Sequence, residues 1–199
     1  MKKYLSLSLV MCFIIITGFT SKHHDAPTNY YGIPESLNFG ALTYNLSWSS
    51  HPNDNYYKQE YIPKDNEVDN FKDMVLIDFI KTDLPVSTAV DAQVATIKER
   101  KKTDAVCNYQ LINNASTGEY ILDFIMSQSK DDAVTLVEWN GYLYKPYTDK
   151  SGHKGVLLFG ISHRAYNNEV NGFLSSLGKY RHDQLKALTS YEIPQIQIQ

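Results

Sequence analysis

Cysteine is scarce in this chain: Cys12 and Cys107 are the two in 199 residues. Cationic charge is short as well, with 19 Lys and Arg against 22 Asp and Glu, a net charge of −3. That balance argues against nucleic acid, whose phosphates demand a basic face. Beyond residue 20 no apolar run approaches the ~20 residues that a membrane-spanning helix needs. No internal repeat and no second domain is visible. Gly152-His153-Lys154-Gly155 lacks the spacing of a phosphate-binding loop.

The N-terminus supplies what the rest lacks. MKKYLSLSLVMCFIIITGFT carries Lys2 and Lys3, an apolar run from Tyr4 to Phe19, and small residues Gly18 and Thr20 at the exit. This is the pattern of a secretory signal peptide over residues 1–20. The serines and threonines within the run favour cleavage over a retained anchor, and Met11 before Cys12 argues against a lipoprotein signal. Cleavage would remove Lys2, Lys3 and no acid, so −3 becomes −5. It would also remove Cys12, leaving Cys107 with no disulfide partner. The remaining chain, about 180 residues, must then fold on core burial alone, which that length permits. The lysine-led signal points to a bacterial periplasmic or secreted protein. Asn45-Leu46-Ser47 and Asn114-Ala115-Ser116 fit the glycosylation pattern, which in a bacterial protein is chance occurrence.

Residues 21–35, polar with two prolines, read as a flexible leader, and residues 36–199 as one domain. From Leu42, hydrophobic alternation places Leu42, Tyr44, Leu46 and Trp48 on one face of a strand. YYKQEYIP pairs with it across the HPNDN turn, and MVLIDFI, apolar on both faces, reads as an interior strand. Residues 87–103 switch to helical spacing through Val90, Val94 and Ile97. CNYQLI, YILDFIMSQ, VTLVEWNGYLYKPY and GVLLFGISHRAY follow as strands, with Cys107 as a buried strand residue. NEVNGFLSSLGKYRHDQLKAL is a second helix, and IPQIQIQ an extended strap. Asn140-Gly141 suits either a tight hairpin or a glycine kink in one long strand. The fold class expected is α+β, with about seven mostly antiparallel strands and helices packed on them.

Acidic residues concentrate in EYIPKDNEVDNFKDM, at Glu60, Asp65, Glu67, Asp69 and Asp73. The alternation from Asp65 to Asp69 imitates the start of an EF-hand loop. Such a loop needs Gly at its sixth position and Glu at its twelfth, where Asn70 and Leu76 stand. The stretch reads as a solvated turn, with Asn66 or Asp69 capping a short helical turn. No metal site or cofactor is expected: His23-His24-Asp25 lie in the leader, and His182-Asp183 read as surface.

Two candidate sites remain. Tyrosine is the one compositional excess, at fifteen, and the group Tyr142, Tyr144 and Tyr147 beside Trp139 and Lys145 suits a binding surface. With two helices for seven strands, part of one sheet face should lie open there. Tyr142 and Tyr144 should then be removable with little loss of stability. The alternative is a hydrolase centred on His163, near a strand end, with Glu138 as its carboxylate partner.

The Tyr61-Ile62-Pro63 strand end, the polar loop, Phe71, Met74 and the apolar strand after them resemble proteins of the PsbP/Mog-type fold. VEWNGYLYKPY followed by VLLFGISHRAY resembles the tryptophan-bearing strand and its neighbour in that group. The resemblance spans about residues 36–190, with Phe71 standing where a tryptophan often begins the strand. It implies an α-β-α sandwich with a central antiparallel sheet, one long strand through Asn140-Gly141, and a binding or assembly role without catalysis. No ligand residue of that group carries over. The expected partner is another exported or envelope protein.

Overall fold

A computed structural model describes residues 26–198; the expected signal peptide and His23-His24-Asp25 lie outside the described residues. Eight strands form a single antiparallel sheet: β1 Ser36–Phe39, β2 Leu42–Asn53, β3 Tyr56–Pro63, β4 Asp73–Lys81, β5 Asn108–Asn114, β6 Glu119–Lys130, β7 Ala133–Thr148 and β8 Lys154–Tyr166. The order across the sheet is β1-β2-β3-β4-β8-β7-β6-β5. Two four-stranded meanders therefore join where β4 pairs with β8. The connection from β4 to β5 runs through α1, Val86–Arg100, and α2, Val170–Ser190, follows β8.

Turn chemistry sets the meanders. Gly40, with φ +59°, closes the β1–β2 hairpin between Phe39 and Leu42. Asp131 and Asp132 adopt φ of 50° and 63° between Lys130 and Ala133, the paired positive values of a type I′ turn. Asn140-Gly141 makes no turn: β7 runs through it as one strand of 16 residues.

The two sheet faces are covered differently. On one, α2 packs on β7 and β8, burying Trp139, Phe159, Phe173 and Leu188. Tyr31, Ile33, Ile196 and Ile198 from the chain ends complete that core. On the other, α1 buries Val90, Val94 and Ile97 against Cys107, Leu122, Phe124 and Tyr144. Ser190 is the last residue of α2, and the segment beyond it is an extended strap. Ile196 donates its N–H to the Tyr147 hydroxyl, Ile198 its N–H to Asp149, and Gln197 its N–H to the Tyr31 carbonyl.

Four expectations need correction. The fold is dominated by an eight-stranded sheet with two helices, not a seven-stranded α+β sandwich of the PsbP/Mog-type pattern. The strand left uncounted is β1, hidden in a short SLNF stretch behind Gly40. Residues 30–33 are no flexible leader: Tyr31 is fully buried, and its hydroxyl lies 2.7 Å from the Tyr57 carbonyl and 2.9 Å from that of Ile77. Trp48 does not share a face with Leu46, because a bulge at Ser47 pairs Leu46 with Tyr61 and Trp48 with Glu60. Cys107 precedes β5 and is buried against α1, its Sγ 3.6 Å from the Ile97 carbonyl.

Candidate functional site

A cavity of about 600 Å³ lies between α1 and the sheet. Ala89, Gln93, Thr96, Ile97 and Arg100 of α1 form its roof. Its floor is laid by β3, β4, β8, β7 and β6, and the Asn53–Asn55 turn and Leu84 stand at its rim. Leu76, Val156, Leu158, Phe124 and Met126 make the walls largely apolar.

Cross-strand register brings the polar residues of the floor together. One row runs Lys58, Asp78, Leu158, Tyr144 across β3, β4, β8 and β7. The next runs Glu60, Leu76, Gly160, Tyr142. Gly160 is required here: a Cβ at that position would stand 2.8 Å from the Tyr142 ring and 2.9 Å from Leu76. Its missing side chain lets the Tyr142 ring lean over β8 into the cavity wall.

Two polar groups result. In the first, Arg164 donates Nε–H to Glu138, Asn140 donates to the other Glu138 oxygen at 3.0 Å, and Ser162 donates to Asn140 at 2.5 Å. The Arg164 guanidinium carbon also sits 3.9 Å above the Phe71 ring. In the second, Lys58 pairs with Glu60 at 2.9 Å and the Tyr56 hydroxyl donates to Asp78 Oδ2 at 2.6 Å.

Asp78 is incompletely satisfied. It is 8% exposed, and its Oδ1 is a buried oxygen without a hydrogen-bond partner. The only other such side-chain atom among the described residues is Asn29 Oδ1. Burial raises the Asp78 carboxyl from 3.8 to about 6; the Lys58 charge and the Tyr56 bond pull it down, and Glu60 pushes it up. At neutral pH it is a carboxylate with one open acceptor. Burial also pushes the Tyr142 and Tyr144 hydroxyls well above their ordinary value, so both remain O–H groups.

The expected site residues divide between the two faces. Tyr142, Tyr144 and Glu138 line the cavity. Tyr144, 3% exposed, is core rather than open sheet surface. Trp139 is buried on the α2 face, its indole N–H donated to Asp123 at 2.8 Å, with Arg181 on the other Asp123 oxygen. Tyr147 holds the C-terminal strap, and the half-exposed Lys145 lies with its ammonium 5.8 Å from the Tyr147 ring.

His163 and Glu138 are not brought together. Glu138 is opposite Arg164 and Trp139 opposite His163, so the pair faces opposite sides of the sheet. His163 Nδ1 instead meets Asp73 at 2.8 Å, with its ring against Phe173 and Tyr180. The acidic loop forms a turn with a short 3-10 segment at Val68–Asn70, and Asn66 accepts the Lys72 N–H at 2.6 Å.

Sequence reading missed Lys58, Asp78 and Arg164. The available signal was MVLIDFI, where Asp78 interrupts an otherwise apolar interior strand. A charge at that place needs either a partner or a role.

No curated protein matches this sequence. A protein-family model matches residues 31–193. The match opens at the tyrosine that ties the N-terminal segment to the sheet and runs past the end of α2. It therefore takes in the whole cavity and most of the chain, and the chain belongs to that family.

Proposed function

We propose that this is an exported binding protein whose ligand is a small molecule held between α1 and the sheet. The observation that carries the reading is the cavity itself: about 600 Å³, apolar walls, and a few convergent polar groups. Small-molecule sites have this size and make-up. Export rests on the signal-like residues 1–20, and a periplasmic or secreted location follows from them.

The test uses N-phenyl-1-naphthylamine, an uncharged probe that fluoresces in apolar surroundings. Its fluorescence should rise saturably with the protein. Ala89→Trp, which fills the roof, should abolish the rise while the circular dichroism spectrum stays unchanged. No saturable rise, or one indifferent to Ala89→Trp, overturns the reading.

A second reading, binding of another exported or envelope protein, is favoured by β5. It is an edge strand, and Leu111 and Ile112 on it are 39% and 44% exposed. A partner strand added to that edge would use its unpaired backbone groups. A periplasmic partner retained by the wild type and lost with Ile112→Lys would support it; equal retention by both would remove it.

A further inference from the structure

We infer that the cavity takes a molecule with an apolar body and a protonated amine at one end, and that Asp78 holds the amine. This rests on the small-molecule reading above and adds the chemistry of the ligand.

Charge on the floor motivates the inference. Glu138 is matched by Arg164. The other cluster sets two carboxylates, Glu60 and Asp78, against one ammonium, Lys58, which is bonded to Glu60 at 2.9 Å. Lys81 also lines the cavity, with its Nζ 5.4 Å from the centroid of the Tyr57 ring. Arg100, at the rim, is turned to Asp104 and the Ser127 carbonyl. In this cluster two carboxylates share one ammonium, and Lys58, opposite Asp78 in the register, also draws the Asp78 carboxyl down.

Hydrogen bonding gives the same location. Asp78 Oδ2 is occupied by Tyr56 and Oδ1 by nothing. A buried acceptor left open is costly, whereas a charged donor that reaches it forms one of the stronger hydrogen bonds available to a protein. The Cβ–Cγ torsion of a carboxylate is soft, so either oxygen can turn to the cavity. Leu158, beside Asp78 in the register, and Leu76 one row away offer apolar surface to the rest of such a molecule.

The experiment displaces N-phenyl-1-naphthylamine with hexylamine, hexanol and hexanoate at pH 8. Hexylamine should compete at concentrations roughly 10- to 100-fold below hexanol, the ratio expected of a charge-assisted hydrogen bond, and hexanoate should be the weakest. Asp78→Asn should bring hexylamine to the level of hexanol, each read by displacement of the same probe. Equal displacement by amine and alcohol on the wild type overturns the inference without recourse to a variant, and so does an amine preference that survives Asp78→Asn. If the probe binds and the preference is missing, the amine fails and the cavity stands. If the probe does not bind at all, both readings fall.

Discussion

Asp78→Asn should make the protein more stable at pH 8, and the gain should disappear on acidification. The Asp78 carboxyl is raised from 3.8 to about 6 in the folded state. A raised acid favours folding where it is protonated, below about pH 4, and loses that contribution as pH climbs through 6. About two units at 1.36 kcal/mol each make the ionised residue a burden of about 3 kcal/mol at pH 8. Asparagine removes the charge and keeps an oxygen for the Tyr56 hydroxyl, at a cost of about 1 kcal/mol because a neutral acceptor is weaker than a charged one. The net gain is about 2 kcal/mol, or a Tm rise of roughly 4–8 °C for a domain of this size. Urea titrations of both proteins at pH 4, 5, 6, 7 and 8 measure it. The reasoning requires a wild-type stability that falls between pH 4 and 8 relative to the variant. If the variant is the less stable protein at every pH, Asp78 is a satisfied structural carboxylate in solution. A residue retained at a cost in stability is one mark of a functional site.

Other substitutions probe the rest of the structure. Tyr144→Ala should cost about 3–5 kcal/mol by denaturant unfolding, correcting the expectation of a dispensable surface tyrosine, since the side chain is 3% exposed in the α1 core. Gly160→Ala should destabilise by about 1–3 kcal/mol and weaken probe binding, because the added methyl meets Tyr142 at 2.8 Å and Leu76 at 2.9 Å. Asp149→Ala should speed amide exchange at Ile198 and His153, both of which donate their N–H groups to that carboxylate. Burial opposes its ionisation, but the bonds from His153 and Ile198 outweigh that and hold the carboxyl below its ordinary value. The strap is therefore held above about pH 4 and loosens as pH falls through that lowered value, visible as exchange that accelerates in acid beyond the intrinsic rate.

Local pattern was a good guide to strands and a poor one to faces. YYKQEYIP, MVLIDFI and the run through Asn140-Gly141 fold as strands because their apolar and β-branched residues fit a pleated, buried surface. Their faces depend on register, and one bulge at Ser47 was enough to turn Trp48 from the side of Leu46 to the side of Lys58. The site was illegible for a related reason. Asp78 meets Lys58 through the β3–β4 pairing, and Arg164 of β8 joins the same cavity only because β4 pairs with β8 and not with β5. That choice is made by packing across the whole sheet, and nothing near Asp78 announces it. Tyr142 and Tyr144 stood out by composition, which carries no information on whether a helix covers them.

The unequal covering of the two faces accounts for where the polar residues lie. Eight strands at about 4.8 Å spacing span some 34 Å, and one helix is about 10 Å across. A single helix therefore leaves most of a sheet face bare. On the α2 face the N-terminal segment around Tyr31 and the strap through Ile196 fill the deficit, and the strand residues beneath are Val75, Ile77, Phe79, Leu157 and Phe159. On the α1 face α1 packs over the β6 and β7 side. The cavity floor beneath it carries Lys58, Asp78 and Arg164. Had that floor been meant only to exclude water, apolar residues would have closed it at lower cost. Charged groups that line a cavity rather than a packed core are instead what an occupant from solution would meet, and the cavity beneath α1 is the space left for it.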